Sequence, residues 1–192
     1  MSAAVAAHAF AVFETTIGTC GIAWGADGLV GVQLPEQNAR ETRRRLARCF
    51  PNSRESAPPP VVQRAIEQIV ALLQGKTPDM SEIALDLTAV PAFNQRVYEV
   101  ARTIPPGSTL TYGEVAARLG DRRLAREVGQ ALGQNPFAIV VPCHRVVAAG
   151  GKMGGCSARG GVQTKLRMLA IEGAPAAGTL PLFGDAEPAP PA

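Results

Sequence analysis

The sequence predicts a mixed α/β (α+β) protein. A β-rich N-terminal domain is expected over residues 1–90. A mainly helical C-terminal domain with a winged-helix-like helix-turn-helix is expected over 91–174. Three observations carry this reading. Apolar and β-branched runs alternate with Gly/Asp turns across residues 9–34, which is a hairpin signal. Pro91 stands where strand-like patterning gives way to helical spacing, and proline punctuates element boundaries. Two short helical segments then meet across Gly120-Asp121, the outline of a helix-turn-helix.

The elements follow in order. Residues 9–14, 18–24 and 29–34 read as strands, the last two joined by the turn Gly25-Ala26-Asp27-Gly28. Glu36 to Phe50 reads as a polar helix, and its cluster Arg43-Arg44-Arg45 fits a solvated face better than a nucleic-acid site. Val61 to Leu73 is amphipathic, with Ile66, Ile69, Val70 and Leu73 at helical spacing. Ile83 to Leu87 reads as a short strand. Phe93 to Thr103 places Phe93, Val97 and Val100 on one helical face, and Pro105-Pro106-Gly107 stops it. Thr111 with Glu114 three residues on is a capping box, opening a helix through Leu119. Leu124 to Leu132 is the second helix of the pair, and Gln163 to Glu172 the last helix. Residues 175–192, rich in Ala, Pro and Gly, read as a disordered tail.

Composition narrows the function classes. With 46% hydrophobic and 18% charged residues the chain is globular. No apolar run approaches the ~20 residues that span a bilayer, so no membrane partner is expected. The N-terminus lacks a basic leader and does not read as a signal peptide, so a cytoplasmic location, nucleoid-associated if the source is bacterial, is the expectation. Cys20, Cys49, Cys143 and Cys156 form no CxxC pair and read as reduced thiols. His8, Cys20 and Cys49 have no metal-ligand spacing, so no metal is expected. Net charge is +3 but unevenly placed: residues 92–173 hold 11 Lys/Arg against 5 Asp/Glu, while residues 1–91 net −1. A basic second half suits an anionic partner such as nucleic acid, although solubilising surface charge would look the same.

The chemistry concentrates at Pro142-Cys143-His144-Arg145, at the end of the apolar run Phe137 to Pro142. Only thiolate is strongly nucleophilic, and a thiol near pKa ~8.5 is mostly protonated at neutral pH. A neighbouring His can take that proton. Adjacent residues in a strand point to opposite faces, so Cys143 and His144 meet only if the chain turns at Pro142. The alternative is a buried Cys beside a surface His.

Around this tetrapeptide stand further pieces in order. They are Pro105-Pro106-Gly107, Thr111-Tyr112-Gly113-Glu114-Val115-Ala116, Arg126 followed by Val128-Gly129, Asn135-Pro136, and Val141 through Val147. Gly160-Gly161, Lys165 and Glu172-Gly173 complete the set. Together they resemble the O6-alkylguanine-DNA alkyltransferase family, whose C-terminal domain accounts for residues 92–173; residues 1–90 fit its N-terminal domain in outline. The resemblance implies a monomer that binds double-stranded DNA containing O6-alkylguanine. It implies irreversible transfer of the alkyl group to Cys143, once per molecule and without cofactor, with O4-alkylthymine as a further substrate. It makes Cys143 the acceptor, His144 its base acting through a bound water, Glu172 the residue that orients and charges His144, and Asn135 the holder of the hinge before the cysteine segment. Thr111, Tyr112 and Arg126 are the expected DNA contacts. By the resemblance, Arg126 would fill the stack left by a flipped base and Tyr112 would touch the flipped nucleotide. Val146 would offer a backbone carbonyl to the guanine amine. Ser157 would stabilise the leaving O6.

Two positions depart from the family pattern. Glu127 replaces the Ala that follows the finger arginine, placing a carboxylate near phosphates. Cys156 replaces the base-stacking aromatic, in a loop two residues longer than usual. Two other readings compete. A sensor of alkylated guanine that does not repair it would lack the cysteine. A thiol redox regulator would use Cys143 and Cys156, but it leaves Tyr112, Arg126, Asn135 and Glu172 unexplained together.

Overall fold

The computed structural model describes residues 9–151 and 161–174; His8, Cys156, Ser157 and the tail from 175 lie outside the described residues. The three expected strands form as β1 (Ala9–Thr15), β2 (Gly18–Trp24) and β3 (Leu29–Gln33), paired antiparallel. A two-residue strand that the sequence did not suggest, β4 (Arg54–Glu55), adds parallel to β1 and gives the sheet order β3-β2-β1-β4.

Strand alternation sends side chains to two faces. Ala9, Ala11, Cys20, Ile22 and Trp24 pack against Val62, Ile66, Ile69 and Leu73 of α2 (Pro60–Leu73). Phe10, Ala23 and Val30 face the other way, onto Leu46 of α1 (Ala39–Cys49). Gly21 permits that second contact, because a Cβ there would lie 2.4 Å from a Leu46 methyl. The expected helix from Glu36 starts later, since Asn38 takes the N-cap and accepts from the Glu41 amide. The arginines of α1 behave as surface charge: Arg43 pairs with Glu55, Arg44 with Glu41 and Arg45 with Glu36.

The strand expected over Ile83–Leu87 does not form. Only an isolated bridge joins Leu85 to Leu29, with the Leu29 amide donating to Ala84 and the Asp86 amide to Leu29. The Asp86 carboxylate then accepts from the Thr88 amide and hydroxyl, which turns the chain away before a ladder can extend.

Pro91 caps α3 (Ala92–Arg102). A two-residue strand, β5 (Leu110–Thr111), leads into α4 (Tyr112–Arg118). Both halves of the Thr111/Glu114 capping box are present. Gly120 makes the turn at φ +106°, a conformation glycine adopts without a side-chain clash. The second helix of the pair begins with a 3₁₀ turn over Arg122–Leu124, so regular α5 runs Ala125–Gly133. A 3₁₀ turn over Cys143–Arg145 follows, then β6 (Val146–Val147), parallel to β5. The last helix, α6, runs Gly161–Ile171 rather than to 172, so Glu172 falls just past its end.

The main cores meet along one segment. Phe137, Val141 and Val146 belong to the cluster of Val97, Tyr98, Val115 and Val128. Ile139, Val140 and, from α6, Met168 belong to the cluster under the N-terminal sheet. The Val32 amide of β3 donates to the Pro136 carbonyl at 2.8 Å, tying the sheet to the segment that precedes Cys143.

Candidate active site

The segment from Asn135 to Pro142 is a folded loop, not a strand. The Asn135 side-chain amide donates to the Val141 carbonyl, and its oxygen accepts from the Phe137 amide, both at 2.9 Å. One side chain therefore pins both arms of the loop. The Val141 amide returns to the Phe137 carbonyl. At the tip, fully buried Ile139 has φ +74°, the one non-glycine positive φ among the described residues. For a β-branched residue that conformation is strained, and the bonds around it hold it.

Pro142 then turns the chain (φ −80°, ψ +66°) into the Cys143–Arg145 3₁₀ helix. This is the turn that the Cys–His reading required. Cys143 is partly exposed, whereas His144 is 1% exposed. His144 Nε2 lies 2.8 Å from Glu172 Oε1. The ionised carboxylate can only accept, so Nε2 carries the proton and Nδ1 keeps its lone pair. Nδ1 is buried and has no hydrogen-bond partner among the described residues. Burial pushes the His144 pKa down, and the nearby Arg145 and Lys165 charges reinforce this against the raising effect of Glu172. A neutral imidazole with an available lone pair is a base at neutral pH.

Glu172 is equally enclosed, its side chain 2% exposed. Burial pushes its pKa up, but hydrogen bonds from His144 and Arg145 and their adjacent charge outweigh burial and hold it at about 2. Arg145, 4% exposed, donates from Nε to Oε2 and from Nη2 to Oε1, each at 2.9 Å. Its Nη1 donates to the Ile104 carbonyl at 2.6 Å. The sequence reading gave Arg145 and Lys165 no role of their own. For Arg145, a charge set among Val141, Val146 and Val147 was the available signal; the polar neighbours of Lys165 offered none.

Val146 is fully buried, and its carbonyl already accepts from the buried Lys165 ammonium; a carbonyl has a second lone pair. Pairing of Val146 with Leu110 and of Val147 with Thr111 sets the cysteine turn beside the head of α4. Tyr112 opens α4, and a Cβ on Gly129 of α5 would sit 3.8 Å from its ring. Arg126, in the first turn of α5, is exposed, as are Arg118, Arg122 and Glu127. Under the loop, the Tyr98 hydroxyl donates to the Ala131 carbonyl at 3.0 Å and its ring meets Phe137 edge-on. Burial first of all raises its pKa to about 12, so it stays a neutral strut. Cys20, fully buried and likewise pushed to about 12 by burial, is inert. Among the described residues no three His, Cys, Asp or Glu gather as a metal site. No helix among them is long and apolar enough to cross a membrane.

Comparison with known proteins meets this geometry. Residues 92–174 match the family model for the 6-O-methylguanine DNA methyltransferase DNA binding domain. The methylated-DNA–protein-cysteine methyltransferase of Methanothermobacter thermautotrophicus is 37% identical over 153 residues, 80% of this chain and 78% of that protein. The chain belongs to the methylated-DNA–protein-cysteine methyltransferase family. Solved structures of the family agree with the fold. The Mycobacterium tuberculosis O6-methylguanine methyltransferase superposes with a TM-score of 0.69 at 34% identity, covering 88% of this chain and 95% of that one. The M. tuberculosis OGT solved in complex with DNA matches as well, at TM-score 0.69 and 34% identity, covering 88% and 96%. Within the family frame the structure brings Cys143, His144, Glu172 and Asn135 to one loop cluster, with Thr111, Tyr112 and Val146 beside it. Arg126 stands apart on the helix-turn-helix surface.

Proposed function

We propose that this protein repairs O6-alkylguanine in double-stranded DNA by moving the alkyl group onto Cys143. The observation that carries the reading is the enclosed His144–Glu172 hydrogen bond one residue from a partly exposed thiol. In this reading His144 Nδ1 takes the Cys143 proton, through a water as the family resemblance implies. The sulfur attacks the alkyl carbon, a C–S bond forms and the C–O6 bond breaks. The electron pair leaves with guanine, and the proton lifted from the thiol balances its charge. Nothing returns the thioether to a thiol, so each molecule acts once. No cofactor enters the balance.

DNA engagement fits the same surface. Arg118 at the end of α4, Arg122 in the connecting turn and Arg126 on α5 are all exposed, and phosphates would meet such charges. Arg126 is assigned to the gap left by the extruded nucleotide, and Tyr112 to the nucleotide itself. Thr111 fixes the start of α4 through its cap. Val146 is assigned to the guanine amine through its carbonyl, and Cys156 and Ser157 to the rest of the base pocket. The protein is assigned a monomeric state. The test is stoichiometry: with excess O6-methylguanine duplex, guanine restored should plateau at one per protein, and Cys143→Ser should restore none. Turnover beyond the protein present would refute single use, and repair by Cys143→Ser would refute the acceptor.

A further inference from the structure

We propose that Arg145 is a positioning residue of the transfer reaction, acting on His144 only through the Glu172 carboxylate that it grips. The inference rests on the reading of Cys143 as acceptor and His144 as its base. Glu172 lies just past the end of α6, its amide still donating to the Met168 carbonyl at 3.1 Å. Its carboxylate meets a fork: Arg145 Nε on Oε2 and Nη2 on Oε1, each 2.9 Å. Such a bidentate pair fixes the carboxylate plane as well as its position. Oε1 is the oxygen that His144 Nε2 meets at 2.8 Å, so the plane set by Arg145 is the plane that aims the imidazole.

Arg145 is itself anchored, with Nη1 on the Ile104 carbonyl at 2.6 Å. Ile104 immediately precedes Pro105-Pro106-Gly107, a rigid turn at the end of α3. The linkage therefore runs from α3 through the guanidinium to the carboxylate and the base. Cys143, His144 and Arg145 share one 3₁₀ turn, so nucleophile, base and clamp move as one unit against Glu172.

The clamp also alters what Glu172 does. In a triad with a lone carboxylate, the full negative charge stabilises the imidazolium. Here the guanidinium already neutralises that charge, so Glu172 orients His144 more than it charges it. The charged groups facing His144 are Glu172 beyond α6, Lys165 on α6 and Arg145 on its own turn. Two cations against one carboxylate leave His144 a neutral base at rest.

A double-mutant cycle tests the claim. Arg145→Lys keeps the charge and loses the fork. It should slow methyl transfer about tenfold in the native background, the scale of a modest loss of orientation, with the pH profile unmoved. In a Glu172→Gln background the same substitution should cost less than about twofold, because the clamp has nothing left to aim. Equal penalties in both backgrounds would overturn the proposal, as would an unslowed Arg145→Lys. Should either variant fail to fold, the Arg145 Nε–H resonance of the native protein decides instead. Slow exchange with solvent at pH 7 is expected for a proton held on Glu172, and exchange as fast as that of the exposed arginines would overturn the clamp. Methylation of Cys143 in the native protein is the control: its absence defeats the acceptor reading, whereas its presence with equal penalties defeats only the role of Arg145.

Discussion

His144 and Glu172 make the protein sensitive to acid, and the sign follows from both shifts. Burial lowers the His144 pKa below its ordinary value of 6.5. The unfolded chain therefore binds more protons as pH falls below 6.5, and stability declines from there. Glu172 is held at about 2 against an ordinary 4.5. Its contribution is complete above 4.5 and is lost as pH falls from 4.5 toward 2. That contribution is on the order of 3 kcal/mol. Urea midpoints measured from pH 7 to pH 3 should fall throughout, and Glu172→Gln should flatten the limb below 4.5. Parallel curves for the two proteins would show that Glu172 is not held ionised by its partners.

At the scale of elements, the helix-turn-helix was legible because its signals are local. The capping box, the Gly120 turn and the apolar spacing each act within a few residues. The short β4 and the failed 83–87 strand were not legible, since both depend on what the sheet edge offers from far along the chain. The folded loop at 135–142 was hidden for a similar reason. An apolar run reads as a strand, but Asn135 pins it closed and Ile139 takes a conformation that no β-branched propensity favours. The family motif named Cys143, His144 and Glu172; the clamp formed by Arg145 needed coordinates, because it joins side chains 27 residues apart.

The same scale holds the prediction for the exposed arginine on α5. Arg126→Ala should slow repair of a duplex more than reaction with free O6-benzylguanine, since the free base has no stack to leave. Unstacking costs a few kcal/mol, so a loss of tenfold or more on duplex alone is expected, by an order-of-magnitude conversion. Equal slowing of both substrates would remove Arg126 from the stack-filling role.

For the whole molecule, the shared cores imply that the N-terminal sheet supports the chemistry at a distance. Ile69 of α2 is fully buried in the cluster that also holds Ile139 and Val140. Ile69→Ala should cost about 2–5 kcal/mol and lower the unfolding temperature in a single transition seen by every probe. Two separate transitions, with the Cys143 region melting at its native temperature, would show that the halves are energetically independent.

The central claim is that Cys143 is the group that receives the alkyl carbon, and the mass of the protein after reaction tests it most directly. The native protein, incubated with O6-methylguanine duplex and digested, should carry one added methyl on the peptide containing Cys143, with the other cysteines unchanged. A methyl found on another residue, or guanine restored with no gain in protein mass, would contradict it.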